Sequence, residues 1–345
     1  MQYARKLQKV GAGTLTVSLP SRWVKSRGLT AGQIVELSEM ADGSLRISTE
    51  AVKAPKHTAI TFDAAKFQDR NLLGRLIVGA YLQGAEEIKI FSGEGLTADL
   101  QNVINETLDM LPGVEVVEQT YRRIIAQSFI DPNRFPIEAL LKRIQVMLTS
   151  ILNNLSEAVR TGKKSIIEDI RRIENKIDEL YFLCVRQIFI DVKTKSQVER
   201  APEHFLTAIG DRLVVRALEE MADSVRMAAD ETAMLDENTP AHVRQRLSKL
   251  IEYVQVLLGK TMKAFFSLDI TLANEIIETS RREFGEHISF SDFFTSERND
   301  AGLAVVLRNI IWDMINLVRN CKIIAEVTIN RFVRTPSRLV EMEIY

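Results

Sequence analysis

The sequence predicts a multidomain, mainly α-helical protein that begins with a small β-rich segment. Three observations predict this fold class: the chain has 345 residues, residues 1–50 alternate short β-type runs with turns, and residues 133–345 follow helical apolar spacing almost throughout. At roughly 150 residues per domain, a chain of this length holds two or three domains. Hydrophobic residues make up 46% of the chain, which is enough for a buried core and too many for a disordered protein.

The charge and cysteine content exclude several classes of protein. The formal net charge is −1, which excludes a wholly basic nucleic-acid coat protein. The two cysteines, Cys184 and Cys321, are far apart and neither belongs to a CxxC pair. A disulfide scaffold and a zinc ribbon are therefore excluded.

Membrane insertion is not expected. The longest uncharged stretch within a helical pattern is the 13 residues from Ile144 to Ser156, whereas a membrane span needs about 20 apolar residues. The N-terminal residues contain no apolar run of the kind that marks a signal peptide. We therefore expect a soluble, cytoplasmic protein.

Residues 1–50 are predicted to form a small β-rich head. Residues 15–19 alternate in the manner of a strand, and residues 21–27 can form a short helix. Two further runs, 34–37 and 44–47, flank the turn dipeptide Asp42-Gly43 and predict a β-hairpin. About 50 residues of β structure bury little surface alone, so we expect the head to pair with a second chain.

The head is also the basic part of the chain. Residues 1–35 contain six basic side chains and no acidic one, and residues 1–50 carry a net charge of +3, against −4 for the rest. This asymmetry directs the head, rather than the body, towards anionic partners. The alternative is that the head only dimerises and that its charges form a solvated surface.

A set of short motifs in the head is shared with a known family. These are Arg5-Lys6, Val10-Gly11, Val17-Ser18-Leu19-Pro20, Gly28-Leu29 with the turn at Gly32, and Leu45-Arg46-Ile47. Through them the head resembles the AbrB/SpoVT swapped-hairpin family, which implies an interlocked homodimer that often binds DNA. The phosphate contacts would then be Arg5, Lys6, Arg22, Lys25 and Arg27.

Residues 55–131 predict a small α/β domain. Strand-like runs at 58–62, 88–91, 114–117 and 124–130 alternate with helical patterns around residues 72–80 and 100–111. The order βαβαββ is typical of a small α/β sandwich. No constellation of histidine, cysteine or paired carboxylates indicates chemistry in this region, so we interpret it as a linking or ligand-sensing module.

The rest of the chain predicts two bundles of three long helices, at residues 133–236 and 240–345. The helices are expected at about 136–162, 165–192 and 202–235, and then at about 240–268, 270–290 and 297–332. The repeated triplet indicates an internal duplication in outline, although the halves share little sequence identity. Each triplet can bury its apolar stripes as an antiparallel bundle.

Two carboxylate pairs in the first triplet are candidate metal ligands. Glu174 and Asp178 lie four residues apart on the second helix, and Glu219 and Asp223 lie four apart on the third. Each pair therefore projects from one side of its helix. Four carboxylates close together repel one another and favour a bound cation, and oxygen ligands suit hard metal ions.

An ordinary solvated helix surface is the alternative interpretation of these carboxylates. Glutamate followed by aspartate four residues later is common on exposed helices. Arg171 and Arg216 each stand three residues before a glutamate, Glu174 and Glu219 respectively. Each arginine can pair with its glutamate along one helix.

An enzyme is not expected. Di-iron enzymes built in helical bundles use Glu-x-x-His pairs, and none of the four histidines has a glutamate three positions before it. The sequence also lacks the GxSxG, P-loop and HExxH motifs.

The segments 170–180 (IRRIENKIDEL) and 218–223 (LEEMAD) carry a second family resemblance. They are similar to the E/DxxxD signature of the PhoU family, and the resemblance extends over residues 133–345. It implies two three-helix bundles of PhoU type and a divalent or trivalent metal (iron, zinc, manganese or magnesium) on Glu174, Asp178, Glu219 and Asp223. It also implies cytoplasmic regulation of phosphate uptake, with a phosphate ABC transporter ATPase or a sensor kinase as partner.

The second triplet departs from this signature. Ser280 and Phe284 take the places of the first carboxylate pair, and Ile315-Asn316 with Arg319-Asn320 occupy the region of the second pair. We therefore expect metal at the first triplet and not at the second.

The two resemblances together favour a DNA-binding transcriptional regulator of phosphate homeostasis whose body senses metal or phosphate status. The alternative is a cytoplasmic adaptor that inhibits a phosphate ABC transporter or its sensor. In the adaptor, the head serves only for dimerisation, so the basic side chains of the head discriminate between the two functions.

Overall fold

The computed structural model describes residues 4–11, 13–39, 43–49, 58–67, 69–131, 134–198, 202–235, 239–285 and 301–334. The chain divides into two compact units, Met1–Lys56 and His57–Tyr345. The predicted end of the head at residue 50 lies inside the first unit and remains a prediction. The predicted boundaries at 131 and at 236–240 lie inside the second unit and remain predictions.

The first unit contains two antiparallel strand pairs and a short helix. Strand β1 (Gln8–Val10) pairs with β2 (Thr14–Thr16), and β3 (Glu36–Glu39) pairs with β4 (Leu45–Ser48). Helix α1 (Ser21–Ser26) is followed by Gly28, whose φ of +63° favours glycine. The strand predicted at 15–19 is shorter than expected and ends at Thr16. Asp42 of the predicted hairpin turn lies outside the described residues.

None of the described side chains of the first unit is buried. Many of its aliphatic residues are exposed instead: Ile34 is 93% exposed, and the others include Leu7, Val10, Leu15, Leu37 and Leu45. A unit of this size with so many exposed aliphatic side chains gains little hydrophobic stabilisation by itself.

The second unit begins with a four-stranded sheet in the order β5-β6-β8-β7. Strand β5 (Ala59–Asp63) is parallel to β6 (Glu87–Phe91), while β8 (Arg123–Ser128) is antiparallel to both β6 and β7 (Val114–Gln119). Helices α2 (Arg70–Leu82) and α3 (Ala98–Asp109) pack on each other, and Asp69 and Thr97 cap their first turns. The element order is the βαβαββ order that the sequence predicted.

The long helices follow as two triplets. They are α4 (Ile137–Thr161), α5 (Lys164–Val198) and α6 (Pro202–Thr232), then α7 (Ala241–Ser267), α8 (Ile270–Gly285) and α9 (Ala301–Phe332). The helices of each triplet pack on one another, and the triplets meet where α4 contacts α7 and α6 contacts α9. Helix α5 continues six residues beyond its predicted end at 192. The predicted end of α8 at 290 and start of α9 at 297 lie outside the described residues.

The first helices of the two triplets end in the same way. Helix α4 follows Pro136 and is capped at its C-terminus by Gly162, and α7 follows Pro240 and is capped at its C-terminus by Leu268. Both C-terminal residues have left-handed backbone, with φ of +68° and +52°, a conformation that glycine adopts easily and leucine rarely. The two triplets therefore repeat one architectural plan in spite of their different sequences.

Helix α9 has the length and composition that a membrane span requires. In the structure it packs against α6, α7 and α8, and Leu307, Ile310 and Ile324 are fully buried there. Its apolar character is explained by this position, because a central helix of a soluble core is apolar on several sides.

Helix α5 also fixes the sheet region to the first bundle. The buried guanidinium of Arg186 donates to the Tyr81 carbonyl at 2.5 Å and lies 4.6 Å from the centre of the Tyr81 ring. Lys193 donates to the carbonyl of Gln83. Both cations meet the C-terminus of α2, where carbonyl groups lack helical partners and the helix dipole favours positive charge.

Candidate metal centre

Three carboxylates converge where α5 and α6 pack on each other in the first bundle. Glu174 and Asp178 stand one turn apart on α5, and Asp223 faces them from α6. One carboxylate oxygen from each lies within 4.8 Å of the other two. Glu174 is only 3% exposed, while Asp178 and Asp223 are half-buried. The structure thus brings together three of the four ligands predicted from spacing.

Glu219, the fourth predicted ligand, lies one turn before Asp223 on α6 and outside this group of three. Its Oε1 accepts a hydrogen bond from Arg216 Nη1 at 2.9 Å. Its Oε2 is buried and has no hydrogen-bond partner among the described residues. An orphaned buried acceptor costs free energy unless something satisfies it. The role of Glu219 as a metal ligand stays a prediction.

Burial and mutual repulsion raise the pKa of these carboxyl groups. Burial, and then the charge of Asp178, raises the pKa of Glu174. Burial, and then the charge of Asp223, raises the pKa of Asp178 to about 6. Burial raises the pKa of Glu219 to about 7, although Arg216 opposes the effect. A cation among these groups would remove the repulsion and favour their charged forms.

Glu174 has an ion-pair partner on the neighbouring helix. Arg226 Nε donates to Glu174 Oε1 at 2.9 Å, and Arg226 Nη1 lies 3.5 Å from Asp230 Oδ2. No sequence-based prediction includes Arg226. Arg226 stands three residues after Asp223, a spacing that indicates an ion pair within one helix. The spacing does not indicate a contact with Glu174 on α5.

A solvated helix surface would pair each arginine with the glutamate three residues after it, and one of these two ion pairs is present. Arg216 pairs with Glu219 along α6, as predicted. Arg171 does not pair with Glu174 as the alternative interpretation allows, because it donates to Asp230 at 2.7 and 2.9 Å. Glu174 faces into the helix interface, whereas the side chain of Arg171 is 43% exposed, so the two side chains leave α5 in different directions.

The donor set fits a hard metal ion. It consists of carboxylate oxygens from two adjacent helices, and the orphaned oxygen of Glu219 belongs to the next turn of α6. Packed helices lie about 8–10 Å apart, which places side chains of this length within reach of one ion or a small cluster. Oxygen-only donors suit magnesium, manganese and iron better than zinc, which more often takes histidine or cysteine.

Hydroxyl and amide side chains replace the acidic ones at the corresponding positions that the structure describes in the second bundle. The fully buried Ser280 donates its hydroxyl to the carbonyl of Val318 at 3.3 Å, and Asn320 donates to the carbonyl of Asn316 at 3.0 Å. Within the parts of α7, α8 and α9 that the structure describes, no three carboxylate, histidine or cysteine ligands come together.

The predicted DNA contacts belong to the first unit. They lie before β1, within α1 and directly after it, and all of them are exposed: Arg5, Lys6, Arg22, Lys25 and Arg27. Exposure of this kind is what contacts with phosphate groups require.

Comparisons with known proteins bear on the first bundle. Residues 141–232 match the family model of the PhoU domain. This segment contains all four predicted ligands, and it is shorter than the resemblance expected over residues 133–345. The AbrB/SpoVT resemblance of residues 1–50 lies outside the matched segment and stays a prediction.

The fold is also similar to a solved structure of the same family. The crystal structure of PhoU from Pseudomonas aeruginosa aligns over 58% of this chain and 96% of that chain, with a TM-score of 0.50 and 16% sequence identity. At this identity the similarity shows a PhoU-like helical fold. No curated protein matches the sequence.

Proposed function

We propose that the chain is a non-enzymatic, cytoplasmic regulator of phosphate uptake whose helical body binds a metal ion. One observation carries the proposal: Glu174, Asp178 and Asp223 converge within 4.8 Å inside the segment that matches the PhoU domain. A bound ion would neutralise the repulsion between these carboxylates and connect α5 with α6. The metal status of the cell, or phosphate bound together with the metal, would thereby change the stability of the first bundle.

Metal content tests this proposal directly. The full chain is purified without chelator, and its content of iron, zinc, manganese and magnesium is measured by elemental analysis. We expect about one or more equivalents of metal per chain, and the same stoichiometry after a stripped sample is loaded again. A chain that takes up none of the four metals would contradict the proposal. The carboxylates would then be interpreted as part of an ordinary solvated helix surface.

We further propose that the head forms a homodimer and binds DNA, which makes the chain a transcriptional regulator. Two features support this: the exposed aliphatic side chains of the first unit, and its exposed basic side chains. Pairing with a second copy would cover the aliphatic residues. Two copies of the basic set would then provide the phosphate contacts that one head lacks.

Two measurements test the role of the head. Light scattering should give the mass of a dimer for the full chain and the mass of a single shortened chain for residues 57–345, while circular dichroism should show that the helices persist. The variant Arg22→Ala/Lys25→Ala/Arg27→Ala should weaken DNA binding and reduce its dependence on salt.

A matched control removes three exposed lysines from α7, Lys249→Ala/Lys260→Ala/Lys263→Ala, and should leave DNA binding unchanged. Absence of DNA binding by the wild type at low salt would favour the adaptor. A phosphate ABC transporter ATPase or a sensor kinase is then the partner to test.

A further inference from the structure

Arg226 contacts the most buried carboxylate of the candidate metal centre. We propose that it is a built-in counter-ion: its guanidinium neutralises Glu174 when no metal is bound, and metal binding displaces it towards Asp230. The inference rests on the proposed metal binding. It adds that the Arg226 guanidinium competes with the metal ion for Glu174. Arg226 would then set the metal concentration at which the centre fills.

The contact with Glu174 has the properties of a competitor for metal. Arg226 Nε is 2.9 Å from Glu174 Oε1, and the Glu174 side chain is 4% exposed. A hydrogen bond between a guanidinium and a shielded carboxylate is among the stronger ones in proteins. A metal ion on the same carboxylate would stand close to the guanidinium, and the two positive charges would repel each other.

The distribution of charge points to Arg226 rather than to Arg216. Among the three converging carboxylates, only Glu174 has a described basic side chain within ion-pair distance, while the charge of Arg226 also acts on Asp223 and, ahead of that of Arg216, on Asp178. Arg216 binds Glu219, which lies outside the group of three, and is also held by Glu220 at 2.8 Å. Removal of Arg226 should therefore affect the centre more than removal of Arg216.

Asp230 offers the displaced guanidinium a second partner. It lies one turn after Arg226 on α6, and its Oδ2 is already 3.5 Å from Arg226 Nη1. Asp230 also accepts from Arg171, which keeps a further partner in Glu168 at 2.6 Å. A small rotation of the Arg226 side chain would exchange one carboxylate for the other without leaving a buried charge unpaired.

This arrangement gives α5 and α6 two alternative connections. Without metal, the ion pair of Glu174 and Arg226 joins the helices. With metal, the ion joins them, and Arg226 moves to a partner on its own helix. The fold of the bundle is retained in both states, while the guanidinium of Arg226 shifts from Glu174 towards Asp230.

The test is calorimetric titration of manganese(II) into the full chain after its metal has been removed. Arg226→Gln should bind manganese at least about tenfold more tightly than the wild type, because one charged hydrogen bond no longer has to be broken. The metal-free variant should unfold at a lower temperature than the wild type and should gain more from added manganese. Arg226→Lys, which keeps the positive charge, should stay within about threefold of the wild type.

Arg172→Gln is the matched control. Arg172 lies two residues before Glu174 on α5 and pairs with Asp169 at 2.6 Å, so the variant loses the same charge without touching the centre. Its affinity should change by less than about threefold, because exposed charges are screened by salt.

The outcomes separate this inference from the proposed function. Wild-type binding with no tightening in Arg226→Gln overturns the inference and leaves metal binding intact. Failure of the wild type and of both glutamine variants to bind manganese, together with a negative elemental analysis, overturns the proposed function. If Arg226→Gln does not fold, the variant Asp230→Asn tests the inference. It should weaken manganese binding several-fold, because the displaced guanidinium loses its second partner. Unchanged affinity would overturn the inference.

Discussion

The two helical triplets share one architecture but differ in how their buried polar groups are satisfied. In the first, Glu174 of α5 is buried and takes its partner, Arg226, from α6. In the second, Ser280 of α8 is buried and donates to the backbone carbonyl of Val318 on α9. The fold thus tolerates a neutral hydroxyl at this helix interface. The carboxylates of the first triplet raise the free energy of the bundle unless a cation compensates them.

This difference indicates that packing does not require the acidic cluster. A hydroxyl or amide can donate to the carbonyls of neighbouring residues, as Ser280 and Asn320 do. An ionised carboxylate cannot donate, so it depends on arginines, on protons or on a metal ion. The first triplet therefore carries a feature that the stability of the fold does not explain, and that feature lies in the PhoU-matching segment.

The largest effect is expected when the acidic cluster is neutralised. Glu174→Gln/Asp223→Asn keeps side-chain size but removes two anionic ligands, so bound metal should fall to background in elemental analysis. The matched change in the second triplet, Ser280→Ala/Asn320→Ala, should leave metal content unchanged. The first variant should lose little stability without metal, since repulsion within the cluster is removed as well.

Two results would contradict this prediction. Full metal content in Glu174→Gln/Asp223→Asn would place the ion elsewhere in the chain. Metal loss in the second-triplet variant would show that both bundles contribute, and the difference between them would then be one of degree.

The next effect concerns stability and tests whether the second triplet can accept a charge. Ser280→Glu places a carboxylate in a fully buried position, and an unpaired buried charge typically costs about 3–5 kcal/mol of unfolding free energy. Ser280→Ala, which loses one hydrogen bond, should cost only about 1 kcal/mol. Urea denaturation measures both. If Ser280→Glu is as stable as Ser280→Ala, the second bundle already holds a compensating cation or enough water.

Much of the architecture could be predicted from the sequence because it follows from short-range patterns. Both ends of α4 and the start of α7 follow from Pro136, Gly162 and Pro240, since proline and glycine restrict or permit the backbone locally. Alternation and turn residues were enough for the order of strands and helices in residues 58–128. Leu268 shows the limit, because leucine in a left-handed conformation carries no sequence signal.

The candidate site could be predicted only within each helix. Spacing placed Glu174 beside Asp178 on α5 and Glu219 beside Asp223 on α6, because residues four apart share one side of a helix. The rotation of α5 relative to α6 depends on tertiary packing, so spacing could not show that Glu174 meets Arg226 or that Arg171 meets Asp230. For the same reason it could not place Glu219 at the edge of the group.

The smallest effect concerns Asp313, a buried carboxyl group on α9 of the second triplet. Burial, and then the charge of Glu231 on α6, raises its pKa to about 7. Glu231 itself accepts a hydrogen bond from Asn309 at 2.9 Å, which holds that negative charge near α9. Among the described residues, no arginine opposes the rise in the pKa of Asp313. Glu174 and Glu219 of the first triplet differ, because Arg226 and Arg216 oppose the rise in theirs.

The sign of the pH effect follows from this shift. The pKa of Asp313 is higher in the folded chain than the value of about 3.9 for an unfolded aspartate, so the folded state holds the proton more tightly. The stabilisation from Asp313 is complete below about pH 4 and is lost as the pH rises towards 7. Asp313→Asn keeps the shape without the charge, so its melting temperature relative to wild type should rise between pH 5 and pH 8. Circular dichroism in chelator-containing buffer measures both proteins across this range, and both proteins carry the same Glu174, Asp178 and Asp223. A constant difference in melting temperature across the pH range would contradict the prediction. It would show that Asp313 is ionised throughout and that a cationic partner compensates its charge, as Arg226 compensates Glu174 in the first triplet.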